Sequence, residues 1–137
     1  MTSRTDLHIV QGRDSGVYYR DHFLVPIVLP FAQRAGRCFI FQDDNARVVN
    51  DYLQRHNIVH MPWPAISPDL SPIEDVWDMI GRRVFRHQSP PTTLLELTAA
   101  LQEEWVRLPQ IMIVWLSRSM PRRIAECLRI GGAITHY

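Results

Sequence analysis

Phe39-Ile40-Phe41-Gln42-Asp43-Asp44-Asn45-Ala46 carries an apolar run straight into two neighbouring carboxylates. With Arg37 and Cys38 before it, the run is bounded by the turn signal of Gly36 on one side and by the aspartates on the other. An apolar stretch of this length, without alternation, predicts a strand buried on both faces. Downstream, Val49, Tyr52, Leu53 and His56 recur at helical spacing and predict an amphipathic helix of about three turns. Asn57-Ile58-Val59-His60-Met61 then reads as a second strand. Upstream, residues 17–36 are helical in spacing but contain Pro26 and Pro30, which predicts two short helical pieces or one kinked helix ending at Gly36. Residues 5–12, Thr-Asp-Leu-His-Ile-Val-Gln-Gly, alternate as a short strand would, with a turn at Gly12-Arg13-Asp14-Ser15-Gly16.

The second half of the sequence is helical in pattern. Residues 62–72, PWPAISPDLSP, read as an extended connector, because each proline biases its predecessor away from helix. Ser71, Pro72 and Glu74 match a capping box with proline at the first helical position. Ile73, Val76, Trp77, Ile80 and Val84 line one face of the helix that follows, and its last turn, Gly81 to His87, is basic as the helix dipole favours. Thr93 and Glu96 form a second capping box, after which Leu94, Leu97, Leu101 and Trp105 are expected to be buried. Pro109 opens a segment through Trp115, and Ser119-Met120-Pro121 opens a last helix that stops at Gly131-Gly132. Strand–helix–strand order followed by helices gives the fold class: α/β, a sheet flanked by helices with a helical C-terminal part.

Composition narrows the functional classes. The 137 residues suffice for one domain, and 46% hydrophobic with 21% charged residues is ordinary for a globular chain. No apolar run is long enough to span a bilayer, and the first residues lack the apolar centre of a signal peptide. An intracellular protein with no membrane partner is therefore expected. Cys38 and Cys127 sit in apolar patterns without metal-knuckle spacing and read as reduced core residues. All fifteen basic residues are Arg, which suits bidentate phosphate contacts, although a G+C-rich coding sequence would give the same bias. Residues 1–78 hold seven Arg against ten acids, and residues 79–137 hold eight Arg against four Glu, for a net charge of +1. Such a balance is too weak for strong general attraction to DNA.

Asp43 and Asp44 are adjacent on a strand, so they point to opposite faces and cannot both enter one site. Beyond the carboxyl end of a parallel strand, an aspartate is well placed to hold a hard cation such as Mg²⁺. It is equally placed to cap the helix beginning near Ala46. Glu74 presents the same choice: partner of Ser71 in the capping box, or a carboxylate on a rigid helix aimed at a metal.

Two phrases together carry a family resemblance. Phe-Gln-Asp-Asp-Asn-Ala at 41–46, followed by MPWPAISPDLSPIEDVWDMIGRRV at 61–84, closely resembles the catalytic domain of the Tc1-like branch of the Tc1/mariner transposases. Residues 4–12 and 119–132 look like the same family less sharply. The resemblance implies an RNase H-like fold with a mixed sheet and a triad of two Asp and one Glu that binds Mg²⁺ or Mn²⁺. It also implies metal-dependent DNA cleavage and strand transfer in transposition and DNA integration, hence a nuclear location. The second Asp of the triad, directly before Asn-Ala, corresponds to Asp44, and the Glu of the Pro-Ile-Glu phrase corresponds to Glu74. Both are therefore the expected catalytic residues and metal ligands, with Asp43 a neighbour of no assigned chemistry. Arg82, Arg83 and Arg86, on the helix that carries Glu74, are candidate contacts to DNA phosphates, or else an ordinary solvated helix end.

Measured against that family, residues 1–137 read as a partial DDE catalytic domain, without the first aspartate-bearing strand and the N-terminal helix-turn-helix region. The Tc1-like spacing between second Asp and Glu is thirty-four residues, against twenty-nine here, and the difference falls beside Asp44. The expected function is a transposase-derived DNA-binding region, inactive as an enzyme on its own. The alternatives are a remnant of a decayed element, or a module that pairs with its own copies or with related transposase chains.

Overall fold

The computed structural model describes residues 4–10, 15–43, 47–133 and 135. They fall into two compact units, Val10–Ala65 (the central unit) and Met1–Ile9 with Ile66–Tyr137 (the helical unit).

The central unit opens with a continuous helical run. Ser15 caps α1 (Gly16–Tyr19) by accepting the Tyr18 N–H on its hydroxyl. The run continues through a π-type segment, Arg20–Val28, into α2 (Leu29–Ala35). Of the two forms that the prolines suggested, two short pieces or one helix ending at Gly36, the single continuous run is the one observed. Pro26 has no N–H to give to the carbonyl four residues back, and the widened π turns accommodate this. The Leu29 N–H reaches five residues back to Leu24. Gly36, at φ +70°, ends the run in the left-handed region.

After a 3₁₀ turn at Gly36–Cys38, β1 (Ile40–Phe41) leads toward α3 (Arg47–Arg55), and β2 (Val59–His60) returns parallel to β1, with Ile40 opposite Val59 and Phe41 opposite His60. This is a small right-sized βαβ connection. Leu24, Ala32, Val49, Leu53 and Ile58 form its core, with Phe39, Phe41 and Tyr52 packed around them. Each fully buried leucine here contributes about 1.5–3 kcal/mol.

Three expectations change in this unit. The strand is covered on one face only: Phe39 and Phe41 pack on the core, while Ile40 and Val59 are 52% and 57% exposed. Among the described residues the sheet has two parallel strands, where a mixed sheet was expected. Cys38 lies in the 3₁₀ turn and is exposed, so it is not a core residue.

The helical unit contains a 3₁₀ turn (Pro68–Leu70), α4 (Pro72–Phe85), α5 (Leu94–Arg107) and α6 (Gln110–Arg129). Val76, Ile80 and Val84, four residues apart, give α4 a buried stripe that meets Ala100 and Leu108. The stripe is narrower than the sequence pattern implied, since Ile73 and Trp77 are partly exposed, Trp77 stacking on Trp105 with ring centroids 5.8 Å apart. Thr93 and Glu96 do form a reciprocal capping box at α5. The α5 burial differs from expectation: Leu94 and Leu97 are exposed, and Ala100, Glu104 and Leu108 face inward. Leu101 and Trp105 pack beside them, half-buried.

The region after Pro109 is one helix rather than two, with Pro121 inside it. Pro121 has no N–H to give to the Ser117 carbonyl four residues back, so the ladder is interrupted there, and nearby the Ser119 hydroxyl donates to the Leu116 carbonyl, 2.7 Å away. Gly131 and Gly132, at φ +67° and +84°, terminate α6 as the pattern predicted.

The expected strand at 5–12 is absent over its described part. Residues 5–10 run without regular structure, and their start is tied to the end of α5 instead of to a sheet. The Arg4 guanidinium donates to the carbonyls of Leu108 (2.6 Å) and Val106 (3.0 Å), and the Trp105 indole N–H donates to the Thr5 carbonyl (3.1 Å). No described helix is long and apolar enough to cross a membrane.

Candidate functional site

Of the candidate carboxylates, Asp44 lies outside the described residues. Its neighbour Asp43 is well defined: beyond β1, its Oδ1 accepts from His60 Nε2 at 2.6 Å, at the end of β2. Both side chains are largely buried. Parallel pairing explains the contact, because it brings the carboxyl ends of both strands to the same side. The residue that the sequence left without a role is therefore a buried partner of the adjacent strand.

Glu74 stands in the first turn of α4. It does not close a capping box. Ser71 has the extended backbone of an N-cap, but its hydroxyl makes no cap hydrogen bond; its carbonyl instead accepts the Glu74 N–H at 3.1 Å. Pro72 at the first helical position supplies part of the initiation that the box would have given. The Glu74 carboxylate is exposed, with no ion pair to a described residue, and so is available to an incoming ligand.

The position of Glu74 is set by a polar network absent from the sequence reading. Arg123, on α6 and 3% exposed, donates from Nη1 to the Asp69 carbonyl (2.8 Å), from Nη2 to Asp75 Oδ2 (2.7 Å) and from Nε to the Ser119 hydroxyl (2.8 Å). Asp69 Oδ2 accepts both the backbone N–H and the hydroxyl of Thr135, at 2.8 and 2.7 Å. The Thr135 N–H, then its hydroxyl, hold the Asp69 carboxyl below its ordinary range against the opposing effect of burial. Asp69 and Asp75 bracket the start of α4, so the network clamps the turn that carries Glu74.

At the other end of α4, the basic last turn divides by partner. Arg82 donates to Asp78 one turn back, and Arg83 lies 3.7 Å from Glu104 on α5. Glu104, 5% exposed, also accepts from His87 Nε2 (3.1 Å) and Arg107 Nη1 (3.2 Å). The His87 hydrogen bond first, then Arg107 and Arg83, lower its carboxyl's pKa although burial opposes them. Arg86 is exposed and makes no ion pair with a described residue. Of the three candidate arginines, Arg86 is thus the one whose charge is not already met within the described chain.

Among the described residues no group of three or more His, Cys, Asp and Glu is arranged to hold a metal ion. Glu74 is a hard, accessible oxygen donor, the type that Mg²⁺ and Mn²⁺ take.

No protein-family model matches the sequence. Individual proteins do. The Tc3 transposase of Caenorhabditis elegans is 34% identical over 104 residues, covering 72% of this chain and 32% of that protein. The Tc1 transposase of the same organism is 34% identical over 112 residues, covering 77% and 40%. The Tcb1 transposase of Caenorhabditis briggsae is 30% identical over 142 aligned residues, covering 99% and 51%. The chain spans between about a third and a half of the length of these relatives. With the similarity extending over most of its length, the chain is a Tc1-like transposase region.

Proposed function

We propose that this region binds DNA as part of a transposase-derived protein, and that Asp44 and Glu74 are its metal-ligand positions in an RNase H-like domain. Similarity to transposases over most of the chain is the observation that carries this reading. Exposure of the Glu74 carboxylate at the start of a clamped helix supports its part in it. Mg²⁺ or Mn²⁺, the hard cations that carboxylates of this kind take, would neutralise charge on a DNA phosphodiester. The chain's own contribution is to hold Glu74 on α4 through Arg123 and Asp69, and to offer Arg86 to phosphate.

The 137 residues supply two of the three family carboxylates, so this polypeptide alone is expected to bind DNA without cutting it. A nuclease assay with Mg²⁺ or Mn²⁺ tests this: metal-dependent cleavage that disappears in Asp44→Asn would overturn the inactive reading. DNA affinity at moderate salt no greater than that of an unrelated near-neutral protein would overturn the binding reading.

A further inference from the structure

We propose that the solvent face of α4 receives a DNA strand with an unpaired base, which stacks on Phe85 while Arg82 and Arg86 meet the flanking phosphates. The proposal rests on the DNA-binding reading above and names the form of DNA.

The argument begins with helix geometry. At about 100° per residue, Glu74, Gly81 and Phe85 fall within about 40° of one another on α4, on the side away from the buried stripe of Val76, Ile80 and Val84. Phe85 lies eleven residues from Glu74, about 16 Å along the axis. It is 80% exposed, so the core does not account for an aromatic residue at this place. One turn before it, Gly81 leaves the helix backbone bare, and a Cβ built there meets nothing within 4 Å. The face is therefore open between the carboxylate and the ring.

Charge along this face runs from acidic to basic. Glu74 and Asp78 occupy its first half, Arg82 and Arg86 its second, with Arg82 shared with Asp78. Phosphates are thus favoured beside Phe85 and disfavoured near Glu74. An exposed aromatic ring flanked by guanidinium groups is the arrangement by which proteins hold unpaired bases, since every base offers a π-face and the neighbouring phosphates need cations. A base inside a duplex cannot offer that face.

Fluorescence anisotropy with a labelled single strand and a blunt duplex of the same sequence tests the proposal. Phe85→Ala is expected to weaken single-strand binding by at least about fivefold while leaving duplex binding unchanged, and Phe85→Trp to restore it. Arg86→Ala should weaken both forms and reduce the salt slope by about one. Phe85 is exposed, so its variants are expected to keep the wild-type circular dichroism spectrum. If Phe85→Ala weakens neither form, or both equally, while Arg86→Ala weakens both, stacking is overturned and DNA binding stands. If the wild-type chain binds neither form, both readings fall.

Discussion

In the central unit the buried residues Leu24, Ala32, Val49, Leu53 and Ile58 are all apolar, whereas the helical unit places a buried charge near each end of α4, Arg123 at its start and Glu104 near its finish. The difference concerns alignment. An apolar stripe repeating every four residues, as Val76, Ile80 and Val84 do, would pack almost as well if α4 slid by one turn. Buried ion pairs do not survive such a slip, because each displaced charge would be left without its partner. The charges of the helical unit thus fix where α4 sits along its own axis, and with it Glu74. The central unit has its nearest counterpart in the Asp43–His60 pair beyond its sheet.

The sharpest way to break this contrast is Arg123→Met. It leaves Asp75 and the Asp69 carbonyl without their buried donor and should cost about 3–5 kcal/mol. Hydrogen exchange read by mass spectrometry should show protection lost from α4 and α6 well before the central unit; uniform loss would mean that the two units unfold together. Leu53→Ala, at the fully buried centre of the other core, should cost about 2–5 kcal/mol, with the order of protection loss reversed.

Acid should separate the units next. The folded chain holds the carboxyls of Asp69 and Glu104 below their ordinary range. The stability they contribute is therefore present above their unfolded values, near about pH 4, and is lost as pH falls through the lower folded values. Urea midpoints should drop below about pH 4 in the wild type. Glu104→Gln should be less stable at neutral pH and show a shallower drop on acidification. An unchanged acid limb would remove Glu104 from the account. The smallest effect is expected from Thr93→Ala, which loses the hydroxyl half of the α5 capping box for about 1 kcal/mol, measured as a small shift in thermal midpoint.

What the sequence made legible follows from how far apart the deciding residues lie. Val49 and Leu53, the Thr93–Glu96 box and the Gly131-Gly132 stop are each settled within a few residues, and the pattern read them correctly. Burial of β1 on both faces was misread, because a run of apolar residues does not reveal which of them pack, as Phe39 and Phe41 do, and which are exposed, as Ile40 is. The exposure of Leu94, expected to be buried, and the inward turn of Glu104, which no pattern marks, have a related reason. His87 and Arg107 offered a buried carboxylate its partners, and periodicity does not register that. The clamp on α4 joins Arg123 to residues 48 and 54 positions away, with no local signal. Local spacing marks Glu74, as partner of Ser71 or as metal ligand, but marks neither Asp69 nor Asp75, the acids of that phrase that Arg123 and Thr135 hold in the fold.

The tie between Thr135 and Asp69 also sets where the chain is vulnerable to damage. A trypsin cut after Arg129 would sever the covalent link between α6 and Thr135, leaving the segment to be retained by hydrogen bonds, among them those from Thr135 to Asp69 and from Ile130, Gly131 and Gly132 to the last turns of α6. Once that segment diffused away, Asp69 would lose the two donors that Thr135 supplies, and the 3₁₀ turn that leads into α4 would loosen. A nick sixty residues downstream would therefore be felt at Asp69, five residues before Glu74.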